Sequence, residues 1–159
     1  EIRNELANFA KSQNLDRVLL FEYSNGTSNI VGLPFLYVTV SSEVIRPTIS
    51  PVAQHYQRLS TGLISEFLEK FESKGFDFIE DLESVKDECP MIYYFLKPCG
   101  ARSVLFYSVY GVDKQIGFIL AMSTDDKIIN KKESLPQLAR SAQKISALMN
   151  LDKLNENLK

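Results

Sequence analysis

The chain has 159 residues, 45% apolar and 24% charged, with 18 Lys and Arg against 20 Asp and Glu for a net charge of -2. That length suits one domain around one well-buried core. The charge balance supplies no basic field for nucleic acid or an anionic membrane, and no run of about 18 apolar residues is present to span a bilayer.

Ile2, Leu6, Phe9 and Ala10 recur at helical spacing, which predicts an amphipathic helix ending near Asn14. Arg17 to Tyr23 reads as a strand, Ser24 to Asn29 as a polar loop of turn formers, and Phe35 to Ser42 as a second strand led in by Gly32-Leu33-Pro34. Arg46 to Pro51 holds two prolines and reads as a connector, with a short helix at Val52 to Tyr56. Ile64, Phe67, Leu68 and Phe71 mark a clear amphipathic helix over Leu63 to Phe71, which Lys74-Gly75 terminates. Phe76 to Ile79 is a short strand.

The stretch from Met91 to Met122 organises the chain. It reads as a short helix, a glycine stop at Gly100 and two apolar strands, Arg102 to Tyr110 and Gln115 to Met122, joined by a turn at Gly111-Val112-Asp113-Lys114. Both alternation faces of the first strand are apolar, so it is expected in the interior of a sheet and not at its edge. Gly117 removes a side chain where a packed helix or a ligand is expected to approach the second strand. Leu135, Leu138, Ala142, Ile145 and Met149 then predict a long helix, and Leu151, Leu154 and Leu158 carry an apolar stripe into a charged tail.

The run Leu96-Lys97-Pro98-Cys99-Gly100-Ala101-Arg102-Ser103-Val104-Leu105-Phe106, a hairpin, and then Gln115-Ile116-Gly117-Phe118-Ile119-Leu120-Ala121-Met122 resembles the C-terminal half of a GAF domain. The resemblance extends to both ends of the chain. It implies a single α+β domain over 1–159, with 150–159 as a helical extension or tail. A central antiparallel sheet of about five or six strands carries the N- and C-terminal helices on one face and helices and loops on the other. It also makes Asp81 the N-cap of the segment that follows the short strand, and the terminal helices a homodimer seam. Tyr23-Ser24-Asn25-Gly26 and Gly32-Leu33-Pro34-Phe35 resemble a GAF-like subgroup of phage and Bacteroidetes proteins that are often membrane-tethered; the His frequent in that subgroup is Ser24 here. Because the chain starts at Glu1, an excised fragment is expected, cytoplasmic and without membrane contact of its own, from a parent with a tether or a further domain upstream.

Little in the sequence points to catalysis. His55 is the single histidine, too little for a His-rich metal site. Cys89 and Cys99 make no disulfide framework and are expected as free thiols. Some GAF-fold enzymes reduce free methionine sulfoxide with cysteines, but the motifs around those cysteines differ from these. Glu80-Asp81 and Asp125-Asp126 fall at turns, and Lys127 with Lys131-Lys132 is a basic cluster too small for nucleic acid. The Asn-Lys-X-Asp-Glu-type signature of cyclic-nucleotide GAF domains and the cysteine-and-histidine context of bilin-binding ones do not occur, so no cofactor is expected.

The resemblance places a cavity between the sheet and the middle segment, for which the candidate lining residues are Tyr37, Tyr56, Phe78, Tyr93, Tyr94 and Arg102. Tyrosines suit a small polar-aromatic ligand, and Arg102 suits a carboxylate or phosphate. The expectation is therefore a non-catalytic regulatory or sensory module that binds a small molecule, dimerises, or both. Two other readings remain: a structural module with a filled core, and a thiol-dependent reductase.

Overall fold

The computed structural model describes residues 1–28, 34–72, 74–112 and 115–158. Six strands form one antiparallel sheet in the order β3-β2-β1-β6-β5-β4. They are β1 (Arg17–Ser28), β2 (Pro34–Ile45), β3 (Leu59–Ser60), β4 (Phe76–Ile79), β5 (Ala101–Tyr110) and β6 (Gln115–Thr124). The first and last long strands of the sequence thus meet at the centre, with Leu19 opposite Leu120 and Phe21 opposite Phe118. Gly100 ends the preceding turn at φ 65°, the left-handed region that glycine enters without a Cβ clash, and the chain turns there into β5.

Strand alternation sorts the apolar residues into two cores. Val18, Leu20, Leu105, Val109, Ile119 and Ala121 face α1 (Ile2–Ser12) and α4 (Lys131–Asn157). Leu6, Phe9 and Ala10 from α1, with Leu138, Ala142, Ile145 and Met149 from α4, close that side. Ser141 Oγ donates to Glu5 Oε1 at 3.0 Å and Ser134 Oγ to Gln13 Oε1 at 2.9 Å, fixing the two helices to each other. On the other face Leu19, Phe21, Val104, Phe106, Phe118, Leu120 and Met122 meet α2 (Ser65–Glu72), α3 (Pro90–Leu96) and the 3-10 turn Ala53–Tyr56. Helix α4 outlasts its packing surface: Leu151, Leu154 and Leu158 are 52%, 55% and 78% exposed.

Two local readings change, and one strand is added. Ser24 to Ser28 is not a loop, because the ladder with β2 carries β1 through Ser28. Strand β3 is two residues long, too short for a periodic signal, and is held by pairing with Tyr37 and Val38. The close approach at Gly117 is made by backbone: a Cβ there would sit 2.2 Å from the carbonyl oxygen of Phe21 on the neighbouring strand. Asn29 of the polar loop, Gly32-Leu33 of the lead into β2 and Asp113-Lys114 of the last turn lie outside the described residues.

Gly117→Ala therefore drives a methyl group into backbone in the middle of the sheet and should cost about 1–3 kcal/mol or more. Gly100→Ala meets nothing within 4 Å and carries only the left-handed backbone penalty, about 1 kcal/mol. Urea melts of the two variants should preserve that order.

Candidate functional site

The face beneath α2 and α3 is built from rings. Phe118 stacks on Phe21 at 4.6 Å and on Phe106 at 5.0 Å between centroids. Phe67 of α2 meets Phe95 at 5.2 Å and Phe106 at 5.7 Å, and Tyr56 meets Phe21 and Phe95 edge-on at 5.6 and 5.1 Å. Contacts of this kind add about 0.5–1.5 kcal/mol each beyond the area they bury, so the cluster is a rigid floor.

Polar groups gather where β1 begins. Arg17 is 3% exposed and donates from Nη1 to Glu43 Oε2 at 2.8 Å and to the Ser50 carbonyl at 2.9 Å. Its Nη2 donates to the Cys99 carbonyl at 3.3 Å. Glu43 in turn accepts from the Val52 and Ala53 amides. Tyr56 Oη donates to the Phe95 carbonyl at 2.6 Å and lies 3.2 Å from Cys99 Sγ. Burial pushes the Tyr56 hydroxyl well above the ordinary phenol range, and burial pushes the Cys99 thiol up to about 11 despite its hydrogen bond with Tyr56. A thiol held that high is protonated near neutral pH.

Asp16 stands next to Arg17 and serves the opposite layer. Its side chain is fully buried, and it accepts from Thr124 N at 2.7 Å, Thr124 Oγ1 at 3.0 Å and Lys127 Nζ at 2.7 Å. Arg46 Nη1 adds a contact at 3.0 Å. Burial alone would raise its carboxyl; the bonds from Lys127 and Thr124 outweigh that and hold it below the usual carboxylate range.

The structure separates the six candidate residues. Tyr56 and Tyr93 are buried in the ring-lined core. Tyr93 Oη donates to Glu83 Oε1 at 3.0 Å, and Tyr94, 58% exposed, meets the Tyr93 ring edge-on at 5.1 Å. Arg102 pairs with Asp81 at 3.4 Å and Asp126 at 3.9 Å, so Tyr93, Tyr94 and Arg102 surround the turn Leu82–Val85. Asp81 is the cap of that turn, its carboxylate accepting from Glu83 N at 3.1 Å. Tyr37 and Phe78 do not join them. Alternation with Val38 turns Tyr37 to the other face, under the Arg58 guanidinium at 4.4 Å, and Phe78 packs in the core shared with α1 and α4. His55 is exposed on its short turn. Arg17, Glu43 and Asp16 carry the polar architecture yet give no sequence signal, because their partners lie 9 to 111 positions away.

Among the described residues no three His, Cys, Asp or Glu side chains group to hold a metal ion, and no helix is long and apolar enough to cross a membrane. A cleft of about 340 Å³ opens on the terminal-helix side, lined by Asn14, Ser123, Lys127, Asn130 and Glu133 among others.

No family model matches the sequence, and no curated protein matches it. Solved structures do match its fold. GAF3 of the Synechocystis protein Slr1393, in its photoproduct state, superposes with a TM-score of 0.74 at 14% identity over 99% of this chain and 96% of that one. The blue-light absorbing form of the Thermosynechococcus elongatus PixJ GAF domain gives 0.72 at 15% identity over 99% and 88%. A phycoerythrobilin-bound GAF domain from a cyanobacterial phytochrome gives 0.69 at 13% identity over 98% and 86%. The chain has a GAF fold.

Two measurements check the site. Cys89, half-buried at the start of α3, should react with a thiol reagent in the folded protein while Cys99 should react only on unfolding. Because the Asp16 carboxyl is held low in the fold, its contribution is complete above the unfolded value of about 3.9 and is lost as pH falls through the folded value. Asp16→Asn should cost about 3–5 kcal/mol at pH 7 and flatten the acid limb of stability against pH in urea melts.

Proposed function

We propose that the chain is a non-catalytic regulatory module, in the cytoplasm, that answers a small molecule and works as a homodimer through its terminal helices. The observation that carries this reading is the reach of α4. Four of its residues lock it to the sheet, and then it runs on with Leu151, Leu154 and Leu158 uncovered. Residues 150–159 are then an output extension. A helix rigidly seated on a ligand-facing sheet and apolar beyond it suits transmission to a second copy or an attached domain. The GAF domains it superposes on, at 13 to 15% identity, include light-absorbing and bilin-bound ones, which supports a sensory reading.

The ligand region in this reading is the neighbourhood of Tyr93, Tyr94 and Arg102. Arg102 is about one-third exposed and supplies a fork for a carboxylate or phosphate, with tyrosine faces beside it. Ring contacts of 4.6 to 5.8 Å fill the floor under α2 and α3, and Cys99 Sγ lies 3.2 Å from Tyr56 Oη, which argues against a bilin in the described core. The same filled floor favours the second reading, a structural module with no ligand. Neither reading uses thiol chemistry.

Native mass spectrometry on protein from its own host separates them. Sensing predicts a dimer of the 18.1 kDa chain carrying a small molecule that Arg102→Ala loses; a structural module predicts a clean mass that Arg102→Ala leaves unchanged. Replacing Leu151 and Leu154 together by Asp should yield a folded monomer, read by sedimentation; a dimer that survives both charges rejects the helical seam.

A further inference from the structure

After β2 the chain crosses the end of the sheet as a strap, Pro47 to Tyr56, and lies against the end of α3. Val52 and Tyr56 are buried in the ring-lined core, whereas Pro51, Gln54 and His55 are exposed. Apart from the turn bond from Ile49 N to the Arg46 carbonyl, the described bonds that fasten this strap to the rest of the molecule involve side chains. Arg17 takes the Ser50 carbonyl, Glu43 takes the Val52 and Ala53 amides, and Tyr56 reaches the Phe95 carbonyl.

Glu43 is held as a bound carboxylate is held. Oε2 accepts from Arg17 Nη1 at 2.8 Å and Val52 N at 2.9 Å; Oε1 accepts from Val52 N and Ala53 N, both at 3.2 Å. Charge-assisted bonds from a guanidinium and from backbone amides are the strong kind. The Arg17 and Glu43 side chains are only 4% and 9% exposed, so water screens the pair little. Arg17 itself is prearranged: its other nitrogen is fixed on the Cys99 carbonyl, and its Nε is buried without a hydrogen-bond partner.

We propose that Arg17 and the Val52 and Ala53 amides form a carboxylate receptor that the chain fills with its own Glu43, and that this internal ligand keeps the strap fastened over the sheet. The receptor is a property of Arg17 and the strap, not of the glutamate. Removing the glutamate side chain leaves a buried guanidinium facing a space the size of acetate, and a small monocarboxylate occupies it. The strap is therefore a cover whose latch is an exchangeable charge.

The test uses the full chain with Glu43→Ala, melted in sodium chloride and in sodium formate or acetate at equal ionic strength. An unpaired buried arginine should lower Tm by about 10 °C in chloride. Formate or acetate should return most of that loss and restore hydrogen-exchange protection at residues 50–56, while wild type shows no such gain. Equal melting of the variant in chloride and formate overturns the proposal. If Glu43→Ala does not fold, Glu43→Gln, which keeps the volume, decides it. Its strap amides should exchange about tenfold faster than wild type with the central strands unchanged. Strap exchange at the wild-type rate rejects the latch.

Discussion

Asp16 and Arg17 are adjacent, charged and buried at the point where β1 leaves α1, and the layers on both faces of the sheet are tied to them. The Asp16 carboxylate gathers Thr124 and Lys127 from the end of β6 and Arg46 from the end of β2. The Arg17 guanidinium gathers Glu43, the Ser50 carbonyl and the Cys99 carbonyl on the other side. Two such charges would be costly to bury alone; each is stable here because nearly every donor or acceptor it presents is answered. The consequence is geometric. Neither the helix layer nor the cover layer can shift at this end of the sheet without disturbing one peptide unit.

The rest of the packing follows from that fixed end. β1 and β6 run through the middle with apolar side chains on both faces, so each face demands its own cover. The terminal helices supply one and α2, α3 and the strap supply the other. Gly117 allows β6 to lie against the Phe21 carbonyl, and Gly100 allows the chain to reverse from α3 into β5. Tyr56 adds the link between strap and α3, its hydroxyl donating to the Phe95 carbonyl and lying 3.2 Å from Cys99 Sγ.

Much of this frame was legible in the chain's pattern. Apolar periodicity located both terminal helices and α2, and β-branched runs located the inner strands, because these signals are local. The capping role of Asp81 came with the family resemblance, and the amide it accepts from is two residues away. The candidate site was legible only in part. Tyr56 and Tyr93 do enter the ring-lined core, but the strand positions of Tyr37 and Phe78 point to the other face, and a strand's facing depends on a register that sequence does not print. Arg17 and Glu43 read as ordinary polar residues at strand ends. What makes them central is a pairing across 26 residues, set by the β1–β2 ladder and invisible before it forms.

A sheet whose two covers meet at one dipeptide should pass energy between them. A double-mutant cycle joining Glu43→Gln on β2, which holds the strap, with Asp16→Asn just before β1 measures this directly by denaturant melts. Coupling through the shared Asp16–Arg17 peptide predicts an interaction of about 1 kcal/mol or more. Additivity within about 0.3–0.5 kcal/mol would mean the two layers are stapled independently, and would contradict the account.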